Sequence, residues 1–186
     1  MEIVDGRVPV FVGCIDTETN RVIEHAKEAK ELGASAIVAT CPFYALGGLP
    51  EIERHFRLIH EAVPELPLFA YDIPVCVHTK LPGGLLVKLG QEGVLAGVKD
   101  SSNDDVAFRY LVDDNAKAGH PLTLLTGQEV VVDGAYMAAP TAPCRDSPTW
   151  RPPATCACGR PPRPATGPPS RRSRTGWPRS CASSPC

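Results

Sequence analysis

The sequence predicts a parallel α/β fold, and three features of the chain support this class. Five apolar runs, each followed by a helical pattern, begin near residues 8, 36, 67, 94 and 122. The intervals of 28, 31, 27 and 28 residues each hold one strand and one helix, which favours a parallel sheet. The runs are almost continuously apolar, as in strands that are covered on both faces. A dinucleotide-binding sheet would need a G-x-G-x-x-G turn, and the sequence contains none.

The predicted elements follow one another in a regular order. The strands cover residues 8–14, 36–41, 66–70, 94–98 and 122–125. The helices cover residues 17–33, a segment that opens at Pro50, residues 84–89, residues 104–118 and a last segment from 128 to 138. Apolar side chains at helical spacing define these segments. Gly33 suits the position that follows a helix, and Pro50 suits the first helical position.

The composition divides the chain into two parts after residue 139. Residues 140–186 contain 12 of the 20 prolines, 5 of the 8 cysteines and 8 arginines, but no Leu, Ile, Val, Met, Phe or Tyr. This segment carries a formal charge of +7, whereas residues 1–139 carry −9. Because the segment has almost nothing apolar to bury, we expect residues 140–186 to form a disordered Pro/Arg-rich tail. Residues 1–139 are expected to form the folded domain.

The amino-acid composition of the tail suggests an out-of-frame reading of a GC-rich gene. The tail lacks Lys, Asn, Ile, Phe and Tyr, whose codons are rich in A and T. Two other interpretations stay open: a proline-rich interaction segment, and an arginine-rich arm that contacts nucleic acid. The lack of lysines and interleaved aromatic residues counts against the arm, so we expect no nucleic-acid partner.

The sequence gives no sign of a membrane segment, an export signal or a metal site. It has no apolar run of 18 residues, and residues 1–7 do not combine a basic region with an apolar core. We therefore expect a cytoplasmic protein, in which disulfides are rare. The cysteines of residues 1–139 are widely spaced, and Cys156 and Cys158 are separated by one residue, so neither group matches a zinc pattern.

Polar residues recur where the predicted strands end, at Tyr44, Tyr71, Lys99 and Gly127. In a barrel of alternating strands and helices, this rim carries the catalytic residues. Lys99 is a candidate nucleophile, because a neutral lysine amine can form a Schiff base with a carbonyl. Consecutive strands are usually neighbours, so Tyr71 could lie beside Lys99 and transfer protons. From these residues alone, a surface lysine and tyrosines packed beneath loops are simpler alternatives.

Three motifs together resemble the dihydrodipicolinate synthase/N-acetylneuraminate lyase family. They are Tyr71-Asp72-Ile73-Pro74, the run Gly97-Val98-Lys99-Asp100-Ser101-Ser102, and Cys41-Pro42-Phe43-Tyr44, which is similar to that family's Thr-Pro-Tyr-Tyr segment. The resemblance covers about residues 3–138. It implies a (β/α)8 TIM barrel of class I aldolases and lyases that assemble as dimers or tetramers and use no metal or added cofactor.

The resemblance also implies roles for the four candidate residues. Lys99 would form a Schiff base with pyruvate or another 2-oxo acid, which reacts with an aldehyde partner in aldol chemistry. Tyr71 would transfer protons above the lysine, and Tyr44 would complete the relay across a dimer interface. Gly127 would match a backbone position that lines the keto-acid pocket.

The chain departs from the family pattern in two places. Lysine-forming synthases have an arginine where this chain has Cys76, and a thiol cannot replace a bidentate guanidinium. Together with Asp100-Ser101-Ser102, this favours a broader aldolase or dehydratase branch over 4-hydroxy-tetrahydrodipicolinate synthase, which stays an alternative. The family's first two strands would precede residue 1, and no strand pattern for the eighth follows residue 138. We therefore expect a partial barrel of about strands 3–7, truncated at its N-terminus.

The expected function is Schiff-base lyase or aldolase chemistry on a 2-oxo acid, and the competing class is a truncated product without enzymatic activity. Cooperative thermal unfolding would distinguish these two classes. His25, His55 and His60 lie on predicted helices and are expected at the surface or at the edge of the core. His78 follows the Tyr71 loop, where an ordinary loop residue is a simpler interpretation than a substrate contact.

Overall fold

In a computed structural model, the described residues are 3–128 together with Val131, Asp133, Gly134 and Met137. They form one sheet of five parallel strands, ordered β1-β2-β3-β4-β5. The strands are β1 (Phe11–Gly13), β2 (Ala36–Thr40), β3 (Leu68–Asp72), β4 (Gly97–Asp100) and β5 (Thr123–Thr126). The helices are α1 (Thr19–Glu31), α2 (Leu49–Ala62), α3 (Pro74–Val77), α4 (Gly83–Gln91) and α5 (Asp105–Lys117). The predicted parallel α/β class is confirmed, and the order is that of successive strands of a barrel.

The sheet separates two sets of side chains. On the helix side, alternate strand residues such as Ile37, Ala70, Val98 and Leu124 join the large apolar core. On the other side, Val38 and Phe69 belong to a smaller cluster, against which other side chains of the strands pack. Within the described residues, β1 and β5 each pair on one side only, so the sheet is open. No described helix is both long enough and apolar enough to cross a membrane.

The two strands that carry the candidate residues lie further along the chain than predicted. Lys99 is the third residue of β4, and Tyr71 is the fourth of β3, whereas the sequence pattern placed both after the strand end. The apolar run of residues 94–98 is misleading for β4, because its first residues close the preceding helix α4. The amides of Val94 and Leu95 donate to the Leu89 carbonyl, at 2.9 and 3.2 Å. Both residues are buried as part of the turn rather than of the strand.

The other boundaries follow local chemistry. Gly33 has a φ of 80°, the left-handed conformation expected just after a helix. Pro50 lies in the first turn of α2, where its missing amide costs no helical hydrogen bond. The short helix α3 was not predicted, and it ends at His78, whose φ is 56°. The predicted last helix lies mostly outside the described residues, and the tail of residues 140–186 lies entirely outside them.

His55 is a buried residue that links two helices and a strand, so its expected place at the surface or core edge is wrong. It is 2% exposed. Its Nε2 lies 3.0 Å from the Thr40 carbonyl and its Nδ1 lies 2.9 Å from the Thr19 hydroxyl. Burial lowers the pKa of His55 to about 4, against the opposing effect of the Thr40 hydrogen bond. The ring is therefore neutral at pH 7, with Nε2–H donating to the Thr40 carbonyl and fixing the end of β2 against α2.

Candidate active site

Lys99 and Tyr71 lie side by side on neighbouring strands. They are partners in the register between β3 and β4, and the Lys99 Nζ lies 4.0 Å from the centroid of the Tyr71 ring. Both side chains are half-buried. An aromatic face attracts a cation at this distance. The predicted juxtaposition of these two residues is therefore present in the structure.

Gly97 allows β4, which carries Lys99, to pack closely between β3 and β5. A Cβ at Gly97 would collide with the ring of Phe69 on β3 and with the backbone carbonyl of Thr123 on β5. The register pairs Gly97 with both residues, so the three strands meet closely at this level. A larger residue would push β4 away from its neighbours. Gly97, two residues before Lys99, therefore keeps β4 closely paired with both neighbouring strands.

The next residues of β3 and β4 point to the opposite side and form an ionic cluster. Asp72 and Asp100 are register partners and are 1% and 4% exposed. Lys80, from the loop between α3 and α4, forms a salt bridge with Asp72 and lies 3.4 Å from Asp100. The Leu81 amide donates to Asp72 at 3.2 Å, and the Ser102 hydroxyl donates to Asp100 at 2.9 Å. We name Asp72, Lys80 and Asp100 the ionic cluster.

The ionic cluster contains more buried negative charge than one lysine can fully offset. Burial raises the pKa of Asp72 above its usual range, although the hydrogen bonds from Lys80 and Leu81 oppose this effect. Burial alone would lower the pKa of Lys80, but its contacts with Asp72 and Asp100 raise it above its ordinary value. Lys80 therefore stays charged at neutral pH. It joins the strands that carry Tyr71 and Lys99 through the residues that directly follow them.

Gly127 lies directly after β5, next to the end of β4. Its amide donates to the Asp100 carbonyl at 2.7 Å, which extends the pairing of the two strands by one residue. A Cβ there would lie 2.5 Å from the Ser101 hydroxyl oxygen, so only glycine fits without a shift. The structure thus places the Gly127 backbone beside the segment that follows Lys99. Its role in lining a keto-acid pocket stays a prediction.

Tyr44 is not part of the same group of side chains. It lies in the loop between β2 and α2 with a φ of 76°, and it is 94% exposed. A tyrosine exposed to this extent packs against almost nothing in the part of the chain that the structure describes. The structure therefore does not bring Tyr44 together with Tyr71 and Lys99. A role across a dimer interface stays a prediction.

Thr40 is a residue of this site that the sequence analysis did not single out. It is the last residue of β2 and the register partner of Tyr71, so Thr40, Tyr71, Lys99 and Leu125 form one row across the sheet. We name these four residues the inner row. Thr40 is 4% exposed, and no partner for its hydroxyl is found in the part of the chain that the structure describes. Its place one residue before Cys41-Pro42-Phe43-Tyr44 is visible in the sequence, but no sequence signal marks its hydroxyl as unpaired.

Cys76 lies exposed on α3. It is the residue at which the family resemblance leads us to expect the arginine of the lysine-forming synthases. A thiol group is at most a weak hydrogen-bond donor to a carboxylate and cannot bind it as a bidentate guanidinium does. His78, which ends α3, is also exposed. Within the described residues, no three His, Cys, Asp or Glu side chains are grouped as a metal ion would require.

Residues 1–139 match the sequence model of the Dihydrodipicolinate synthetase family. The chain is 31% identical over 133 residues to a 4-hydroxy-tetrahydrodipicolinate synthase of Phenylobacterium zucineum, an alignment that covers 72% of this chain and 44% of that protein. It is 37% identical over 128 residues to an uncharacterized DapA-like lyase of Halobacterium salinarum, covering 68% of this chain and 40% of the relative. The chain therefore belongs to the dihydrodipicolinate synthetase family. It spans less than half the length of these relatives.

Solved structures of the family share the fold. The dihydrodipicolinate synthase of Acinetobacter baumannii, crystallised with pyruvate, aligns with a TM-score of 0.72 and 26% identity over 80% of this chain and 49% of that one. YagE of E. coli K12, also in complex with pyruvate, aligns with a TM-score of 0.69 and 25% identity over 74% of this chain and 47% of that one. The five-stranded sheet thus corresponds to part of the TIM barrel of this family.

Proposed function

We propose that Lys99 forms a Schiff base with pyruvate or a related 2-oxo acid and that the chain carries the central part of a lyase or aldolase site. One observation supports this most directly: the Lys99 Nζ lies 4.0 Å from the centroid of the Tyr71 ring, on adjacent strands in register. The pyruvate bound by the relatives from A. baumannii and E. coli makes a 2-oxo acid the first ligand to test. The reaction is carbon–carbon bond formation or cleavage with an aldehyde, or dehydration of a sugar acid.

The chemistry needs a nucleophile and a proton carrier. The neutral amine of Lys99 attacks the keto carbon, and a C–N bond forms while the carbonyl oxygen takes a proton. Loss of that oxygen as water gives the imine, and we assign the proton transfers of both steps to the Tyr71 hydroxyl. The protonated imine then accepts the electron pair released when a bond to the neighbouring carbon breaks. The face of the Tyr71 ring favours the positive charge of this intermediate.

A 4-hydroxy-tetrahydrodipicolinate synthase is the second candidate, because the relative from P. zucineum has that activity in its name. The exposed Cys76 opposes it, since the aldehyde of that reaction carries a carboxylate for which a thiol is a poor partner. We therefore place this chain with the broader aldolases. An oligomer that brings Tyr44 of one subunit to the site of another, and action in the cytoplasm, belong to the same proposal.

The test is covalent trapping of the imine. The full chain is mixed with pyruvate and borohydride, and its intact mass and peptide map are recorded. A reduced pyruvyl group on Lys99 is the expected result. Its absence on protein that unfolds cooperatively would refute the proposal, whereas an adduct spread over surface lysines would show non-specific reaction. A chain that does not unfold cooperatively would favour the alternative of a non-enzymatic product.

Replacing Tyr71 with phenylalanine should slow adduct formation roughly a hundredfold, the usual lower range for a lost proton-transfer group. The ring that contacts Lys99 is retained, so only the hydroxyl is tested. The measurement is the rate of trapped adduct over time at constant pyruvate. Tyr110→Phe on the exposed face of α5 is the matched control and should leave the rate unchanged. Equal rates for wild type and Tyr71→Phe would exclude the phenol as the proton carrier.

A further inference from the structure

Thr40 combines two properties that are rarely found together. Its hydroxyl is buried, and the part of the chain that the structure describes offers it no hydrogen-bond partner. Buried polar groups are nearly always paired, because an unpaired one loses its water without compensation. Thr40 does not need its hydroxyl to hold β2, since its carbonyl already accepts the hydrogen bond from His55. The hydroxyl is therefore a cost to the fold that a ligand could offset.

The register shows which side of the sheet Thr40 occupies. Thr40 is the Cα partner of Tyr71, which in turn is the partner of Lys99. Partners in a parallel sheet direct their side chains to the same face, and residues two positions earlier on the same strands, Val38 and Phe69, pack together on that face. The Thr40 side chain therefore shares its face of the sheet with the proposed Schiff-base lysine.

The spacing of the inner row fits a short ligand. Neighbouring strands lie about 4.8 Å apart, so Thr40 is one strand beyond Tyr71 as seen from Lys99. The Lys99 Nζ already lies over the Tyr71 ring, displaced from its own strand toward β3. In a four-carbon 2-oxo acid joined to that nitrogen at its keto carbon, the two further carbons and a terminal hydroxyl could span the remaining strand spacing. Its end would reach the side chain of Thr40.

We propose that Thr40 is a specificity-determining residue that hydrogen-bonds the hydroxyl group of a hydroxylated 2-oxo acid held at Lys99. A threonine hydroxyl can donate to the substrate oxygen and accept from it, so it suits an alcohol. This inference rests on the proposed function and adds the class of substrate to it. Thr40 selects substrates that carry a hydroxyl group beyond the keto carbon over substrates of the same length that lack it.

The test compares two 2-oxo acids of the same length on the full chain. Borohydride trapping is measured as a function of concentration for 4-hydroxy-2-oxobutanoate and for 2-oxobutanoate, which lacks the hydroxyl. Wild type should reach half-maximal labelling at about tenfold lower concentration of the hydroxylated acid, the effect of one hydrogen bond in a buried site. Thr40→Val, which keeps the shape of the side chain, should remove this preference. Thr40→Ser, which keeps the hydroxyl, should retain it.

A second readout requires no ligand. If the Thr40 hydroxyl is unpaired in the free protein, Thr40→Val should raise the Tm by about 2 to 4 °C. Thr123→Val, at an exposed position of β5, is the matched control and should change it little. A lower Tm for Thr40→Val than for wild type would mean that the hydroxyl is paired and would overturn the inference.

The outcomes separate this inference from the proposed function. Labelling of Lys99 by both acids, with a preference that Thr40→Val leaves unchanged, would refute the role of Thr40 alone. Failure of both acids to label cooperatively folded wild type would refute the Schiff base, and the role of Thr40 with it. Loss of the preference in Thr40→Val together with a raised Tm would support both.

Discussion

Replacing Lys99 with arginine should abolish the adduct that pyruvate and borohydride leave on the protein. Arginine keeps the positive charge and its attraction to the Tyr71 ring, but the delocalised guanidinium does not lose its proton and cannot form the imine. The protein should therefore stay folded while its specific labelling is lost completely. Intact mass after trapping, with thermal unfolding measured on the same sample, gives both results.

Lys88→Arg is the matched control for this experiment. Lys88 is an exposed lysine of α4 that forms a salt bridge with Glu53 at 2.8 Å, a partner that arginine can also bind. Its replacement should leave labelling unchanged. Continued specific labelling of Lys99→Arg at another lysine, Lys80 above all, would show that the nucleophile has been assigned to the wrong residue. It would leave the membership of the family untouched.

The fold could be predicted from the sequence because the pattern that marks each strand or helix lies within one short segment of the chain. Apolar runs at intervals of about 28 residues define the strands, and helical spacing defines the segments between them. The bounds of β4 were misplaced because Val94 and Leu95 are apolar for a different reason: their amides close α4. The bounds of β3 were misplaced in the same way, since the Leu66 amide donates to the Val63 carbonyl at the end of α2. Periodicity records that a residue is buried, but not whether its backbone pairs with a strand or with a helix end.

The sequence pattern predicts only some of the residues of the site. Lys99 and Tyr71 could be predicted to lie side by side, because consecutive parallel strands are usually neighbours in the sheet. Lys80 could not be placed, because it reaches Asp72 and Asp100 from a loop whose path depends on the short helix α3. Thr40 was hidden for another reason: threonine is ordinary in a strand, and only the absence of a partner distinguishes it.

Replacing Lys80 with methionine should destabilise the protein by about 3 kcal/mol at pH 7. The substitution removes the cation and leaves the buried carboxylates of Asp72 and Asp100 side by side, and breaking a buried ion pair from one side costs about 3 to 5 kcal/mol. The partial exposure of Lys80 places the expected loss at the lower end of that range. Unfolding in denaturant, monitored by circular dichroism, measures it.

The loss should depend on pH in a defined direction. Burial already holds the pKa of Asp72 above its usual range, and the loss of Lys80 would raise it further. As the pH falls through this raised value, the native state takes up a proton before the unfolded chain does, so stability is regained. The deficit of Lys80→Met is therefore largest at neutral pH and shrinks toward pH 4, near the ordinary pKa of an aspartate. An equal deficit at both pH values would attribute it to lost packing.

The double variant Asp72→Asn/Lys80→Met isolates the contribution of charge. Asparagine has nearly the shape of aspartate, and its oxygen can still accept from the Leu81 amide, but it places no negative charge beside Asp100. We expect the double variant to be more stable than Lys80→Met alone at pH 7 and to lose most of the pH dependence. If the ionic cluster also holds β3 and β4 in the register that pairs Tyr71 with Lys99, the double variant should label with pyruvate at a rate closer to wild type than the single variant. Recovery of stability without recovery of labelling would limit Lys80 to a role in the fold.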